Sequence, residues 1–392
     1  MTENNTPLIY IIAGEASGDL LGARLMTALQ NATGGNIRFT GVGGESMHRK
    51  GFESLFDNSE LAVMGFFEVL PKVPHILGLI NKTVKDIKQK QPDIVITIDS
   101  WSFSNRIHKR LKGVKFPHIH YVAPQVWAWR PKRAAKMKGK IDALLTLLPF
   151  ENQYFIRYGI DVVCVGHPVV EGFAQDGNGK DFRMKQGIAP ETPLLCLLPG
   201  SRHNEVHYLL PIFGETIKLL EQKIPNLQVV VPTVQAVMGK VAEASKTWDV
   251  PVIVAVGDKE KEEAFAAADI ALAASGTVSL ELAMAKLPQV IAYKLSPLTY
   301  QLAKRLLNIK YVNLINIMAN ALIVPECLQE DCTPEILAHQ VEKLFKSKDT
   351  RLLQTSRARD ILKKMGYGDA KTPSEKAADK VLSLLGKDMN GK

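Results

Sequence analysis

The sequence contains few cysteines, and their spacing does not suggest a metal site. Four cysteines occur in 392 residues: Cys164, Cys196, Cys327 and Cys332. They form no CxxC pair, the arrangement that is typical of many metal and redox sites. Three of them lie in apolar or strand-like surroundings, where buried thiols are common. We therefore interpret the cysteines as structural residues and not as metal ligands.

The sequence also has no targeting signal and no long hydrophobic run. No Lys or Arg precedes the short apolar run at the amino terminus, and that run ends at Gly14, too early for the core and cleavage site of a signal peptide. The most apolar later stretch, residues 63–80, is interrupted by two prolines, a glutamate and a lysine. A membrane-spanning helix needs roughly 20 mainly apolar residues. We expect a cytoplasmic protein that does not cross a membrane.

The composition indicates two folded domains and an anionic partner. The hydrophobic fraction is 46% and the charged fraction is 23%, both ordinary for globular proteins. A chain of 392 residues exceeds what one hydrophobic core usually organises. The 49 Lys and Arg residues outnumber the 40 Asp and Glu residues and give a net charge of +9. This charge favours nucleic acid, anionic lipid or a phosphorylated substrate as partner.

Short apolar runs alternate with helical patterns in both halves of the chain, which is typical of parallel α/β sheets. The first half predicts strands over 8–13, 37–42 and 94–98, with helices over 20–29 and 76–87. The second half predicts strands over 194–198, 227–231, 252–256, 270–273 and 289–293.

The end of the first series marks a domain boundary. The polar, Gly-containing stretch 176–181 follows the last apolar run of the first half, and few contacts need to cross it. Beyond Pro334 the pattern is helical, over 336–345 and 375–385. We expect this helical tail to pack back across the first domain.

Two polar features stand at strand ends in the first half. Segment 13–19, AGEASGD, lies between the first strand and the first helix, where an open α/β sheet binds its ligands. A tight turn without a ligand is the alternative, because single glycine-rich turns occur in many folds. Asp99 ends an apolar strand and would project into the same crevice, where a carboxylate suits general-base chemistry. Asp99 could equally cap the helix that follows.

A run of aromatic and basic residues follows. Residues 120–130 contain Trp127 and Trp129, and cations continue to Lys140. Aromatic faces with cations suit sugars, phosphates or a membrane surface. Binding of single-stranded nucleic acid is less favoured, because the aromatics are confined to one short stretch and do not line a groove. A solvated basic helix is the plainest alternative.

Two segments of the second half could bind an anion. Segment 198–202, LPGSR, follows a strand and leaves Arg202 at the carboxyl edge of the sheet, where a guanidinium could hold a diphosphate. Segment 274–277, ASGT, leads from a strand into a helix that contains Glu281, so backbone amides could form an anion site. An exposed arginine and a helix cap are the ordinary explanations. The equivalent positions of the two segments at strand ends favour binding.

Several motifs together resemble one family. They are GEASGD, LAVMGFFEVLP, HYVAPQVWAWRPKR, LPFE, VGHP, LLPGSRHNEV, ASGTVSLE and the run from Tyr293 through AKRLLNIKYVNLINIMA to PECLQEDC. In this order, and over nearly the whole chain, they are similar to the lipid-A-disaccharide synthase family.

The resemblance implies an α/β fold of the GT-B type. Two Rossmann-like domains would face each other across a cleft, with C-terminal helices packing back on the N-terminal domain. We expect an acceptor- and membrane-facing domain at residues 1–170, completed by helices over about 350–392. The UDP-sugar-binding domain would span residues 171–349.

The resemblance also implies the reaction. An inverting transferase would move 2,3-diacylglucosamine from its UDP donor to the 6-hydroxyl of 2,3-diacylglucosamine 1-phosphate and release UDP. The family implies no metal and no other cofactor, and we expect no nucleic-acid partner. The implied location is the cytoplasmic face of the inner membrane, as a peripheral protein.

Site residues are implied by correspondence with the family motifs. Asp99 is the implied catalytic residue, and Arg202 the implied diphosphate ligand. The implied acceptor loop consists of Glu15, Ser17, Gly18 and Asp19. The implied UDP-binding residues are Gly200, Ser201, Arg202, Glu205, Ser275, Gly276, Thr277, Glu281 and Asn316.

The chain departs from the family pattern at one point in this set. Where the family reads IDAPDFN or a similar sequence, residues 98–104 read IDSWSFS. Asp99 is retained, and Ser102 stands at the position of a second aspartate. The mechanism that we expect uses Asp99 as the base, with Arg202 and residues 275–277 stabilising the departing UDP.

Acyl chains on the implied substrates predict a membrane contact. The residues predicted to enter the bilayer are Met64, Phe66, Phe67 and Leu70, followed by Ile76 and Leu77. Cations over 130–140 would add attraction to an anionic surface. The alternative is that these apolar side chains fill the domain core.

The nearest rival is another UDP-N-acetylglucosamine enzyme of the same fold, a peptidoglycan-type transferase or an epimerase. Its nucleotide-binding half would look similar. The apolar region 63–80 argues against an epimerase that acts on wholly soluble substrates. A non-catalytic anion-binding protein would explain the charge but would not require Asp99 and Arg202.

Overall fold

The computed structural model describes residues 6–61, 66–128, 131–172, 177–296, 300–301 and 310–389. The chain forms two compact units. The first unit comprises Met1–Pro168 and Gly368–Lys392, and the second unit comprises Val169–Tyr367.

The first unit contains a six-stranded parallel sheet, ordered β2-β1-β3-β4-β5-β6. Its strands are β1 Leu8–Ala13, β2 Arg38–Val42, β3 Ile94–Ile98, β4 His118–Tyr121, β5 Ala143–Thr146 and β6 Val162–Cys164. β3 is buried at every position because helices cover both faces of the sheet, so its sequence shows no polar alternation. The carboxyl ends of parallel strands meet at one edge, where ligands of such sheets bind.

Helices cover both faces of this sheet. They are α1 Ala16–Ala32, α2 Glu45–His48, α3 Phe66–Lys90, α4 Trp101–Arg110 and α5 Gln153–Ile156, with 3₁₀ segments at Asn58–Leu61, Pro131–Met137, Pro149–Glu151 and Pro168–Glu171. α1 packs on one face through residues such as Leu25 and Leu29. α3 and α4 pack on the other face through residues such as Ile80 and Ile107.

The second unit repeats the architecture. Its parallel sheet is ordered β12-β11-β10-β7-β8-β9. The strands are β7 Leu194–Leu198, β8 Gln228–Thr233, β9 Val252–Val256, β10 Ile270–Ala274, β11 Gln289–Tyr293 and β12 Glu326–Leu328. The helices are α6 Gly179–Lys185, α7 His203–Glu221, α8 Gln235–Ser245, α9 Asp258–Ala267, α10 Val278–Met284, α11 Leu314–Ala319, α12 Pro334–Lys346 and α13 Lys348–Lys364.

The chain then returns to the first unit. The last helix, α14 Pro373–Met389, packs against α1 and buries Ala377, Ala378 and Val381 in the same core. α13 packs instead with helices of the second unit. The return therefore comes at Gly368, later than the residue near 350 that we expected from the sequence.

The expectation of two α/β sheets with a returning C-terminal helix is confirmed. Among the described residues, no helix combines the length and the apolar character that crossing a bilayer requires.

Candidate functional site

The end of β3 carries a backbone conformation that is unusual for side-chain-bearing residues. Asp99 has a φ of 55° and Ser100 a φ of 40°, both in the left-handed region. Such residues cost roughly 1–3 kcal/mol each and persist only where surrounding contacts hold them. Asp99 N donates to Tyr121 O on β4 at 2.8 Å, and Ser104 Oγ donates to Asp99 O at 3.1 Å. The turn is therefore held from the sheet and from α4.

In this turn the Asp99 carboxylate does not cap α4. Its Oδ1 accepts from the adjacent Ser100 N at 2.8 Å, and no side-chain hydrogen bond caps α4. Its Oδ2 accepts from Ser17 Oγ at 3.5 Å, a long contact that a substrate hydroxyl could replace. The carboxylate thus keeps acceptor capacity at the carboxyl edge of the sheet.

The surroundings of Asp99 favour its protonated form. Burial is the largest cause that raises its pKa, and the nearby Glu15 charge adds to the effect. The hydrogen bonds from Ser100 and Ser17 act in the opposite direction. A carboxylate with a raised pKa is a stronger base than an exposed one.

The GEASGD loop meets this turn. Glu15 Oε1 accepts from Ser100 Oγ at 2.6 Å, and Ser17 reaches Asp99 as described. Gly18, in the first turn of α1, lies against β3, where a Cβ would be 3.4 Å from Ile98 O. The structure brings Glu15, Ser17 and Gly18 to Asp99.

Asp19 has a different position. Its carboxylate, 4% exposed, accepts from the backbone N of Gly44, Ser46 and Met47 at 2.7, 2.7 and 3.1 Å. These bonds satisfy the first amides of α2 and occupy the carboxylate. The structure therefore uses Asp19 to join α1 to α2, and its assignment to the acceptor loop stays a prediction.

A second buried carboxylate in this unit, that of Glu151, also accepts hydrogen bonds from neighbouring groups. Burial raises the pKa of Glu151 to about 7. Glu151 accepts from Leu147 N at 3.2 Å, from Leu148 N at 3.0 Å and from Trp127 Nε1 at 3.3 Å. It therefore holds the LPFE turn against the loop of residues 122–128, which contains Trp127.

The second unit contains a cavity of about 590 Å³ at the carboxyl ends of four strands. Its lining residues follow β7, β8, β9 and β10. Ligand pockets of drug-sized molecules are typically about 300–1,000 Å³. Of the predicted UDP-binding residues, the cavity is lined by Gly200, Ser201, Arg202, Glu205, Ser275, Gly276, Thr277 and Glu281.

Arg202 stands at the start of α7. Its Nη1 donates to Glu205 Oε1 at 2.9 Å, while Glu205 Oε2 accepts from the backbone N of Ser201 and Arg202 at 3.1 and 3.3 Å. Gly200 has a φ of 112°, and a Cβ there would lie 2.5 Å from Glu205 Cβ. The Arg202 side chain is 65% exposed, so the ion pair is weak and the guanidinium remains able to reach an anion.

The SGT turn lies across the same cavity. It precedes α10, a helix of only seven residues, so the helix dipole at this point is small. Ser275 N donates to Ala292 O at 3.1 Å, so the amides that could meet an anion are those of Gly276 and Thr277. Glu281 Oε2 lies 3.3 Å from Lys261 Nζ on α9. Lys261 also lines the cavity and was missed by the sequence analysis. Lys261 lies among other charged residues of α9, so nothing in the sequence marked it as a residue of the cavity.

The far side of the cavity was also missed. Pro232 and Thr233 end β8 and are followed by Val234 and Gln235, and Val256 ends β9 and is followed by Gly257. Thr233 Oγ1 is buried and has no hydrogen-bond partner in the described structure. The rule that located residues 199–202 and 275–277, inspection of each strand end, would have found these residues too.

Asn316 does not line this cavity. It is fully buried, its Nδ2 donates to Val324 O and Glu326 Oε1 at 2.8 and 2.7 Å, and its Oδ1 accepts from Ile323 N and Val324 N at 2.8 and 2.9 Å. Every hydrogen-bonding group of the amide is therefore used within its own segment. Its contact with the nucleotide stays a prediction.

The predicted membrane residues lie largely outside the described part of the structure. Met64 is not described, and neither are the side chains of Phe66, Phe67 and Leu70, whose backbone begins α3. Further along α3, Val73 and Leu77 are exposed. Ile76 packs against the core.

The side chains of the described residues form no group of three or more His, Cys, Asp and Glu that could hold a metal ion. Cys196, Cys327 and Cys332 are buried free thiols, and Cys164 is half-buried.

Comparison with known proteins gives a whole-chain match. The family model described as lipid-A-disaccharide synthetase matches residues 9–381. The lipid-A-disaccharide synthase of Paramagnetospirillum magneticum is 51% identical over 96% of this chain and 97% of its own length. The corresponding protein of Rhodospirillum centenum is 48% identical over 97% of this chain and 95% of its own length.

Solved structures share the fold at low sequence identity. A structure of Staphylococcus aureus MnaA with UDP has a TM-score of 0.65 at 13% identity, covering 98% of this chain and 97% of that chain. Acinetobacter baumannii MurG has a TM-score of 0.59 at 14% identity, covering 97% and 99%. These neighbours establish the two-domain GT-B fold and nothing finer about the reaction.

Proposed function

Since this chain belongs to the lipid-A-disaccharide synthetase family, and is therefore a glycosyltransferase of lipid A biosynthesis, we propose its specific substrates and residue roles. The donor is UDP-2,3-diacylglucosamine and the acceptor is 2,3-diacylglucosamine 1-phosphate. The sugar moves to the acceptor 6-hydroxyl with inversion, and UDP leaves. The rival assignments to a peptidoglycan-type transferase or an epimerase have only fold-level likeness in their favour.

The proposed residue roles rest mainly on the placement of Asp99. Its carboxylate stands at the end of β3 on a left-handed turn, has spare acceptor capacity, and has a raised pKa because it is buried beside Glu15. A general base needs this combination of access and basicity.

The proposed step is a direct displacement. Asp99 accepts the proton of the acceptor 6-hydroxyl while that oxygen forms its bond to the anomeric carbon of the donor. The bond between the anomeric carbon and the UDP oxygen breaks, and its electron pair leaves with UDP. Positioned general bases contribute about 10²–10⁴ in rate.

The second unit binds the UDP part of the donor in this proposal. Arg202 and the turn of residues 275–277 line one cavity, and Arg202 with the backbone amides of Gly276 and Thr277 can neutralise the charge that develops on the leaving diphosphate. Gly200 allows the 199–202 turn to pass close to Glu205, and Glu205 orients the Arg202 guanidinium. Glu281, held by Lys261, can accept hydrogen bonds from ribose hydroxyls.

The acyl chains of both substrates require access to a bilayer. We propose that Met64, which precedes α3 in the sequence, and Phe66, Phe67 and Leu70 at the start of α3 enter the lipid, and that the protein is peripheral on the cytoplasmic face of the inner membrane. The exposure of Val73 at 39% and Leu77 at 37% supports this, because both continue the same helix. Leu79, Ile80, Val84 and Ile87 pack in the core and anchor the helix.

The reaction is tested by mixing purified protein with both lipid substrates in detergent. UDP release and the disaccharide 1-phosphate are followed by mass spectrometry, and the anomeric configuration by NMR. The proposal expects one UDP per disaccharide and an inverted linkage. UDP binding without disaccharide formation would reject the proposed acceptor.

The membrane contact is tested by co-sedimentation with lipid vesicles. The variant Phe66→Ser, Phe67→Ser, Leu70→Ser should bind more weakly than the wild type, since each apolar side chain that leaves water is worth about 1.5–3 kcal/mol. Leu352→Ser, Leu353→Ser, which alters exposed residues of α13, is the matched control. Equal binding of wild type and triple variant would rule out insertion by this segment.

A further inference from the structure

Tyr293 is the last residue of β11, at the carboxyl edge of the second sheet. β11 pairs with β10, and Ser275 N donates to Ala292 O at 3.1 Å, so the SGT turn is bonded to the residue that precedes Tyr293. β10 pairs in turn with β7, which leads into the turn that carries Arg202. Tyr293 therefore continues the row of strand ends around the cavity, beyond the residues that line it.

The backbone around Tyr293 is held by contacts with the following elements. Tyr293 pairs with Leu328 of β12. The next residue, Lys294, donates from Nζ to Cys332 O at 3.4 Å, and Cys332 is fully buried in the core of the second unit. A group that stabilises developing charge needs to be held in place before the reaction. The end of β11 gives the Tyr293 side chain such a fixed base.

The Tyr293 phenol lies near the ion pair of Arg202 and Glu205 and can donate a hydrogen bond. Burial is the main cause that raises its pKa, the Glu205 charge raises it further, and the Arg202 charge acts in the opposite direction. The phenol is therefore protonated at neutral pH. Within the described ranges its hydroxyl has no hydrogen-bond partner, and the half-buried side chain does not close it off from solvent. This donor is free for a ligand.

We propose that the Tyr293 phenol donates a hydrogen bond to a non-bridging oxygen of the donor diphosphate. The inference rests on the proposed function, in which Arg202 and the amides of Gly276 and Thr277 bind that group. The phenol, the guanidinium and the turn amides follow the ends of three neighbouring strands, β11, β7 and β10, and all of them are donors. Negative charge on the diphosphate grows as its bond to the anomeric carbon breaks. The phenol therefore binds the leaving group more strongly in the transition state than in the bound donor.

Tyr293→Phe tests this contact, because phenylalanine keeps the ring and removes only the hydroxyl. The matched control is Tyr208→Phe, which alters a half-buried tyrosine of α7 that packs on His207 and lies outside the cavity lining. Affinities for UDP and for uridine are measured by ligand-observed NMR titration of the wild type and both variants. The rate of disaccharide formation is measured in a single turnover.

Tyr293→Phe should weaken UDP binding about 10-fold, because a hydrogen bond to a charged group is lost. Uridine affinity should stay unchanged, because uridine lacks the diphosphate. Disaccharide formation should slow by about 10- to 100-fold, since the contact strengthens as the leaving group gains charge. Tyr208→Phe should stay within about twofold of the wild type in all three measurements.

A double-mutant cycle separates direct binding from an effect that passes through Arg202. If the phenol binds the diphosphate itself, Tyr293→Phe should still weaken UDP binding in an Arg202→Ala background. An effect that disappears in that background would show that Tyr293 only orients Arg202, and would overturn the proposal.

Two further results would overturn the proposal. Equal losses of UDP and uridine affinity in Tyr293→Phe would indicate a distorted cavity in place of a lost contact. Unchanged UDP affinity and an unchanged rate would remove Tyr293 from the site. Failure of the proposed function would appear separately, as wild-type protein that forms no disaccharide while its UDP binding still depends on Tyr293.

Discussion

Asp99 combines three features that an ordinary helix cap lacks. It has a left-handed backbone, its carboxylate accepts from the adjacent Ser100 amide and at a long distance from Ser17, and burial raises its pKa. The proton-accepting form is the carboxylate, so activity should be lost as pH falls through this raised pKa. The acid limb of kcat/KM is therefore expected at higher pH than that of an exposed aspartate.

Glu15→Gln tests the effect of the Glu15 charge on the Asp99 carboxylate. The Glu15 charge raises the pKa of Asp99, so the variant should move the acid limb of kcat/KM to lower pH while burial still keeps it above the exposed value. Glutamine preserves an acceptor for Ser100 Oγ. Glu53→Gln, an exposed substitution in the same unit, serves as control. An unchanged limb in Glu15→Gln would show that the two carboxylates are not coupled.

Arg202→Ala tests the donor cavity. Loss of a charge-assisted hydrogen bond to a diphosphate should weaken UDP binding by about 10- to 100-fold, measured by calorimetry. The Arg202 side chain is largely exposed, so the variant should fold normally. Arg357→Ala removes an exposed arginine of the same unit and should leave UDP affinity unchanged. Unchanged affinity in Arg202→Ala would remove this residue from the site.

At the scale of elements, a buried histidine cluster supports the end of β3. Thr97 Oγ1 lies 2.9 Å from His108 Nε2 on α4 and 2.7 Å from His120 Nδ1 on β4. His108 Nδ1 lies 3.3 Å from His118 Nδ1. Trp101 begins α4 and packs its ring on His120. Thr97 precedes Asp99 by two residues, so this cluster holds the strand from which the Asp99 turn departs.

Trp101 should act as a positioning residue. Trp101→Ala removes the ring that holds the first turn of α4, and kcat should fall about 10- to 100-fold with KM nearly unchanged, because small displacements of a catalytic group are costly. Trp101→Phe keeps a ring at this site and should retain most of the activity. A parallel loss of kcat and of folded protein in both variants would indicate a purely structural role.

The same cluster makes stability depend on pH. Burial lowers the pKa of His120 to about 3, while an unfolded histidine titrates near 6.5. The unfolded state therefore binds the extra proton, so this contribution is present above pH 6.5 and is lost as pH falls below it. For His120 the loss between pH 7.5 and pH 5.0 is about 2 kcal/mol.

Other groups titrate in this range, so the test is a difference between variants. The pKa of Glu151, raised to about 7, acts in the opposite direction, because its protonated form is favoured in the folded state. The free energy of unfolding in urea is measured for the wild type and His120→Asn at both pH values. Both proteins contain Glu151, so its contribution cancels in the difference between them. Asparagine retains an acceptor near Thr97. In a Trp248→Phe background, fluorescence reports on the first unit. An equal pH effect in both proteins would exclude His120.

The elements show why some features could be predicted and others could not. β1, β3 and β7 are runs of apolar residues, so their burial on both faces was visible in the sequence. β4 reads HIHY, and its two histidines concealed a strand that is wholly buried. Asp99 and Arg202 follow predicted strands, so their positions at the carboxyl edges of the sheets could be predicted, and their roles stay predictions. Lys261 reaches the cavity from within α9 through tertiary packing and was missed.

In the molecule as a whole, the C-terminal helix α14 returns the chain to the first unit and completes its core. α14 contributes Val381 and Leu385 to the core of the first unit, and Lys380 Nζ lies 2.6 Å from Asp161 Oδ2. Removal of residues 368–392 would expose the apolar surface of α1 and should lower the stability of the first unit. The truncated protein should lose soluble expression or unfold at lower temperature than the full chain, by differential scanning calorimetry.

We propose that Asp99 is the base of an inverting transfer, and single-turnover kinetics of Asp99→Asn test this role. The variant is measured with saturating UDP-2,3-diacylglucosamine and 2,3-diacylglucosamine 1-phosphate, beside wild type and the exposed control Asp249→Asn. If Asp99 is the base, disaccharide should form about 10²–10⁴ more slowly than in wild type, with unchanged UDP affinity and normal folding. A rate within a few-fold of wild type in a normally folded variant would contradict it.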